Sequence, residues 1–174
     1  MASIHNLHTT SPLPDIGHTL LPDLSRWYFL GDWILGVLCA VALAYCAWAK
    51  DWDLIVYIIA VVILGTVIKM VMTFVTVLPD PSGACHEKAK KAIGSCNDLL
   101  PSGHMIAAFA VCIGLWPRLQ SVWWKAVFGS LTALLWFFTV ATKNHYTIDT
   151  LVSFFVVMSL SSIIPAPVPD LYSV

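Results

Sequence analysis

Charge is what this sequence has least of. Only 11% of its 174 residues are Asp, Glu, Lys or Arg, against roughly a quarter in an ordinary soluble domain. With 59% hydrophobic residues and a mean hydropathy of +0.81, the shortage of charge excludes a soluble globular domain. Basic residues do not gather into a stripe, and the net charge is −1. A nucleic-acid partner is therefore not expected, since nothing would track a phosphate backbone. The first residues carry no charged start, short apolar core and small-residue cleavage site, so they do not read as a signal peptide. Five cysteines are too few for a disulfide scaffold. Cys39, Cys46 and Cys112 lie in apolar stretches, where cysteine acts as a small buried hydrophobe. Internal repeats and low-complexity segments are missing as well.

Long apolar runs take the place of all these. A helix needs about 20 apolar residues to cross the hydrocarbon, at about 1.5 Å of rise each. The runs predict an all-α, polytopic transmembrane helix bundle with about five spans: 27–48, 54–78, a short one at 104–116, 122–141 and 146–164. Residues 1–25 form a polar N-terminal segment, 26–166 a transmembrane catalytic domain, and 167–174 a C-terminal tail. Pro165 and Pro167 stop the last helix. Trp27, Trp48, Trp52, Trp116, Trp123 and Trp124 fall near span ends, as an interfacial aromatic belt does.

Five spans have a topological consequence. The N-terminus, the polar loop from Pro79 to Pro101 and the turn from Lys143 to Tyr146 share one membrane face. On that face Pro101-Ser102-Gly103-His104 opens the third span. Ser102 is a good N-cap, Gly103 permits close backbone approach, and the first N–H groups form an anion site with His104 inside it. By itself the tetrapeptide fits an ordinary capped helix equally well. At the fifth span, His145-Tyr146-Thr147-Ile148-Asp149 puts a histidine and a carboxylate four residues apart on one helical face. A carboxylate that accepts a hydrogen bond from Nδ1–H fixes the tautomer that leaves Nε2 bare and nucleophilic. Alone this reads equally as an ion pair at a helix start, although a carboxylate so near the bilayer is costly and points to function.

Together the two elements meet the needs of phosphoryl transfer without a metal or other cofactor. One imidazole attacks phosphorus and the other protonates the leaving alkoxide. A metal site would want more ligands than these residues provide.

The pairing of Pro-Ser-Gly-His with a downstream His-x-x-x-Asp resembles the type 2 phosphatidic acid phosphatase (PAP2) superfamily. Pro12-Leu13-Pro14-Asp15, Thr76-Val77-Leu78-Pro79, Cys96-Asn97-Asp98 and His145-Tyr146-Thr147-Ile148-Asp149 look like the landmarks, in order, of its sphingolipid synthase branch. That branch comprises the sphingomyelin and inositolphosphorylceramide synthases. The resemblance implies His145 as nucleophile, Asp149 as its orienting partner and His104 as acid/base, with Asp98 either assisting proton transfer or binding the head group, and a solvated loop carboxylate as its ordinary reading. It implies transfer of a phosphorylated head group from a glycerophospholipid donor to ceramide or a similar lipid alcohol through a phosphohistidine.

Two departures from the superfamily pattern matter. The phosphatases carry an arginine directly before the proline of their first motif and another ahead of the third. Here no arginine stands directly before Pro79, and the second position is Thr139. The bidentate phosphate clamp is absent, which favours the synthases over a lipid phosphate phosphatase. The synthases have six spans, so the resemblance also implies a catalytic core that lacks one N-terminal span.

Among the secondary signals, Lys69 lies inside the second span with Thr73 and Thr76 at helical spacing. It would neutralise a substrate phosphate, with snorkelling to the interface as the alternative. Lys88, Lys90 and Lys91 would attract anionic head groups or merely solvate the loop. Cys85 and Cys96 would pair only on an oxidising face. Counting Arg26, Lys88, Lys90, Lys91 and Lys143 against Lys50, Arg118 and Lys125 places the site face in the cytoplasm by the positive-inside rule. The resemblance implies the reverse, a lumenal or exoplasmic site in a Golgi-like endomembrane or the plasma membrane. Membrane lipids are the expected partners, with homo-oligomerisation open. A catalytically silent membrane scaffold or transporter is the reading from another class, opposed by the intact His/His/Asp set.

Overall fold

The computed structural model describes residues 12–76, 81 and 100–164. Asp98, Lys88, Lys90, Lys91, Cys85, Cys96, Pro165 and Pro167 lie outside the described residues. Among the described residues there are six α-helices: α1 Ile16–Leu20, α2 Leu30–Ala49, α3 Trp52–Val75, α4 Gly103–Leu115, α5 Val122–Ala141 and α6 Thr147–Ile163. No strand occurs among the described residues.

Helices α2, α3 and α5, with 20, 24 and 20 residues, are long and apolar enough to cross a membrane. Their outward positions are apolar too. Trp33, Val37 and Leu43 of α2 are exposed, as are Val56, Ile63, Val67 and Phe74 of α3. Such a surface suits lipid and not water, and the chain is an integral membrane protein. Each span predicted from the apolar runs corresponds to one helix, within a few residues at its ends. The first span starts at Leu30 because Ser25–Trp27 form a separate 3₁₀ turn. The second stops at Val75, where Thr76 turns extended.

Helix α4 is too short to span by itself, 13 residues rising about 20 Å. It packs against α2, α3, α5 and α6 and forms the centre of the bundle. Small residues let its neighbours come close. A Cβ on Gly65 of α3 would stand 2.7 Å from Ile106 Cγ2, so the α3–α4 approach depends on that glycine. Met105, Ile106, Ala108, Ala110, Val111 and Leu115 of α4 are buried, with Leu38, Leu54, Val61, Phe128, Leu135 and Val157 around them.

The end away from the histidines is a tight hairpin. Lys50 takes a left-handed conformation (φ 55) to close α2, and Asp51 then caps α3 through the Leu54 N–H at 3.1 Å. Arg118, from the α4–α5 connection, pairs with the same Asp51 carboxylate. This bolt fixes the far end, and chain alternation brings the starts of α2, α4 and α6 and the end of α3 together at the other.

Candidate active site

Ser102 ends the extended approach to α4 (φ −70, ψ 119) and caps the helix, its Oγ accepting the Met105 N–H at 3.4 Å. The residue is fully buried against α6. Its N–H donates to the Asp149 carbonyl at 3.4 Å. Ser153 Oγ, one turn further along α6, reaches both the Ser102 carbonyl at 3.1 Å and the Asp149 carbonyl at 2.7 Å. The two helix starts that carry the histidines are thus joined backbone to backbone. Ser102 acts within this joint, through the cap.

On α6 the i, i+4 pairing is present. Asp149 Oδ2 lies 3.4 Å from His145 Nδ1 and accepts the Tyr146 N–H at 2.8 Å. The first distance is long for a hydrogen bond, so the Tyr146 amide is the firmer hold on the carboxylate. Asp149 is 0% exposed and the His145 side chain 9%. Asp149 Oδ1 is buried without a hydrogen-bond partner among the described residues. His145 sits in the α5–α6 turn, outside the spans, and its own N–H donates to the Thr139 carbonyl at 3.4 Å. Thr139, standing where the phosphatase pattern has arginine, is a buried backbone support for the histidine.

Burial pushes the His145 imidazole below its ordinary range, against the opposite pull of Asp149. The positive charge of Lys69 and the nearby His104 add to the depression. A neutral imidazole with Nδ1 toward a carboxylate can act as a nucleophile through Nε2.

His104 has a partner that sequence reasoning missed. Its Nε2 lies 2.6 Å from Oδ1 of Asp32, in the first turn of α2. This pair is open: the side chains are 33% and 66% exposed. A lone carboxylate in the first turn of a span was the available signal, since ionisable groups there are expensive unless employed. Lys69 also reaches the site. A Cβ on Gly103 would lie 3.6 Å from Lys69 Nζ, so the bare glycine leaves room between the ammonium and the open end of α4. The threonines on the Lys69 face bond back to their own helix, Thr73 Oγ1 to the Lys69 carbonyl at 2.9 Å and Thr76 Oγ1 to the Met72 carbonyl at 2.6 Å. Of the residues singled out in the sequence, Lys69, Ser102, Gly103, His104, His145 and Asp149 gather here, while Asp98 lies outside the described residues.

Residues 95–164 match the family model for the PAP2 superfamily C-terminal domain. That stretch contains both histidines, Asp149 and the Ser102 joint. The match supports the PAP2 superfamily. A curated relative from Arabidopsis thaliana, Phosphatidylinositol:ceramide inositolphosphotransferase 2, is 23% identical over 202 residues, covering 97% of this chain and 65% of the relative. The Protein PHLOEM UNLOADING MODULATOR, also from Arabidopsis thaliana, is 34% identical over 74 residues, 38% of this chain and 16% of the relative. The chain spans less than two thirds of the length of either relative. No solved structure matches. The match to the PAP2 family model and the likeness to a ceramide inositolphosphotransferase support a lipid phosphoryl-transfer or phosphatase type of function.

Proposed function

We propose that this protein is a lipid phosphotransferase that moves a phosphorylated head group from a glycerophospholipid to ceramide or a similar lipid alcohol. The observation that carries this reading is the meeting of two histidine–carboxylate pairs beside Lys69 at one end of the bundle. His145 Nε2 attacks phosphorus, and the bond from phosphorus to the diacylglycerol oxygen breaks. His104 delivers a proton to that oxygen, releasing diacylglycerol and leaving the head-group phosphate on His145. The acceptor hydroxyl then gives its proton to His104 and attacks phosphorus. The phosphorus–nitrogen bond breaks and both histidines return to their starting states. Lys69 and the first N–H groups of α4 offset the phosphate charge through the transfer. Asp149 and Asp32 orient the two imidazoles, and Asp98 is assigned to the head group through the family resemblance.

The bundle has room for the hydrocarbon. A cavity of about 320 Å³ between α2 and α3 is lined by apolar groups, among them Leu43, Ile59, Val62, Ala107 and Val111. Ala107 and Val111 follow His104 at helical spacing on α4, so the cavity floor leads up to the acid/base. Donor and acceptor lipids reach the site from the membrane, in an endomembrane or the plasma membrane, with the site lumenal or exoplasmic.

The exposure of the His104–Asp32 pair favours one second reading, in which water resolves the phosphohistidine and the protein is a lipid phosphate phosphatase. Purified protein incubated with labelled ceramide and mixed phospholipid donors separates the two. Head-grouped ceramide is the expected product. Release of water-soluble phosphate with unchanged ceramide would establish the phosphatase reading in its place.

A further inference from the structure

Helix α6 is capped in part from within: Asp149 Oδ2, in its first turn, accepts the N–H of the N-cap residue Tyr146 at 2.8 Å. A second capping carboxylate comes from near the other end of the chain. Asp15 Oδ2 accepts the Thr147 N–H at 2.8 Å and Oδ1 accepts the Thr147 hydroxyl at 2.7 Å, across 132 residues of sequence. The same Oδ1 takes the His18 N–H at 3.1 Å, so one carboxylate caps both α1 and α6. These bonds outweigh the effect of burial and hold the Asp15 carboxyl below its usual range. His18 Nε2–H donates to the His145 carbonyl at 3.0 Å, and the Tyr146 hydroxyl accepts the Leu13 N–H at 3.1 Å. Gly17 makes the approach feasible: a Cβ there would fall 2.2 Å from Thr147 Oγ1.

The contact continues along the whole α5–α6 turn. Leu24 N–H donates to the Ala141 carbonyl at 2.9 Å, Lys143 pairs with Asp23 at 2.6 Å, and Asn144 Nδ2 donates to the Tyr28 carbonyl at 3.2 Å. Residues 12–28 are therefore half of the His145 mount.

We propose that residues 12–28 form a clasp that positions the nucleophile, with Asp15 and His18 as positioning residues acting through Thr147 and the His145 backbone. The proposal rests on the assignment of His145 as nucleophile, but its first readout does not depend on activity. In the full-length protein in lipid nanodiscs, Asp15→Ala should speed amide hydrogen exchange in the first turn of α6 by about tenfold. That is the scale of a lost N-cap. Exchange at the Asp51-capped start of α3 should stay as in the wild type. Asp15→Asn should remain within about twofold, because asparagine caps as well as aspartate. In the ceramide transfer assay, Asp15→Ala should lower kcat about tenfold at unchanged KM, with Asn restoring it. His18→Phe keeps the ring packed on Tyr146 but removes the donor, and it should lower kcat in the same way if Asp15→Ala does not fold.

Wild-type exchange and kcat in both Asp15→Ala and His18→Phe would overturn the clasp. So would a loss of kcat in Asp15→Asn equal to that in Asp15→Ala, which would mean that charge and not capping matters. A wild-type protein with no transfer activity would instead overturn the transferase reading, with the exchange result still deciding the clasp.

Discussion

The two histidine–carboxylate pairs of the site are built alike and housed differently. His145 and Asp149 belong to one helix start, four residues apart, and are nearly sealed from solvent. His104 and Asp32 come from different helices, 72 residues apart, and stand open. A nucleophile gains from the first setting. Burial keeps the imidazole neutral, and a fixed carboxylate holds the tautomer. A group that gives a proton in one half-reaction and takes one in the next gains from the second setting, where solvent can equilibrate it. The difference in housing matches the two roles proposed for the histidines.

Exchanging the pairs by mutation tests this difference, and the largest effect belongs to the sealed one. His145→Ala should abolish transfer and leave no covalent phosphate on the protein in a quenched labelling experiment. His104→Ala should slow turnover by about 10²–10⁴-fold, the usual worth of a positioned acid/base, while a slowly formed label on His145 persists. Equal loss of label in both variants would remove the distinction between them. Asp32→Asn should cost less, about tenfold to a hundredfold in kcat, as for a carboxylate that orients a working histidine. Asp32→Glu should recover part of it.

The smallest effect lies in stability against pH. His145 is held below its ordinary value, so the unfolded chain takes up this proton first as pH falls. The folded state therefore loses stability from about pH 6.5 down to the folded pKa, and above that window the term is constant. His145→Gln should flatten this part of the curve in thermal unfolding between pH 7.5 and 5.5. His104→Gln, at the open pair, serves as the comparison.

How much of this was legible in the sequence follows the same division between local and distant. Five apolar runs located helices α2 to α6, because apolar length is counted along the chain. Ser102 as a cap and His145 with Asp149 on one face are local relations within four residues, and both were readable. The parity of the spans placed them at one end. Asp32 was hidden in the first span because its partner comes from another helix. Asp15 and His18 were hidden further still. A second capping carboxylate that comes from 132 residues away leaves no local signature, and packing around Gly17 brings the two together. The polarity of residues 12–25 is visible in a string of residues, and their docking is not.

The central claim, that His145 carries the phosphorylated head group, has a direct test. Wild-type protein in nanodiscs, mixed with phospholipid donor and no acceptor, is digested and its peptides weighed by mass spectrometry at neutral pH. A head-group phosphate on the peptide containing His145, lost when ceramide is added, is the predicted result. A His145→Ala protein that still transfers the head group, or a wild-type protein that turns over with no adduct on His145, would contradict it.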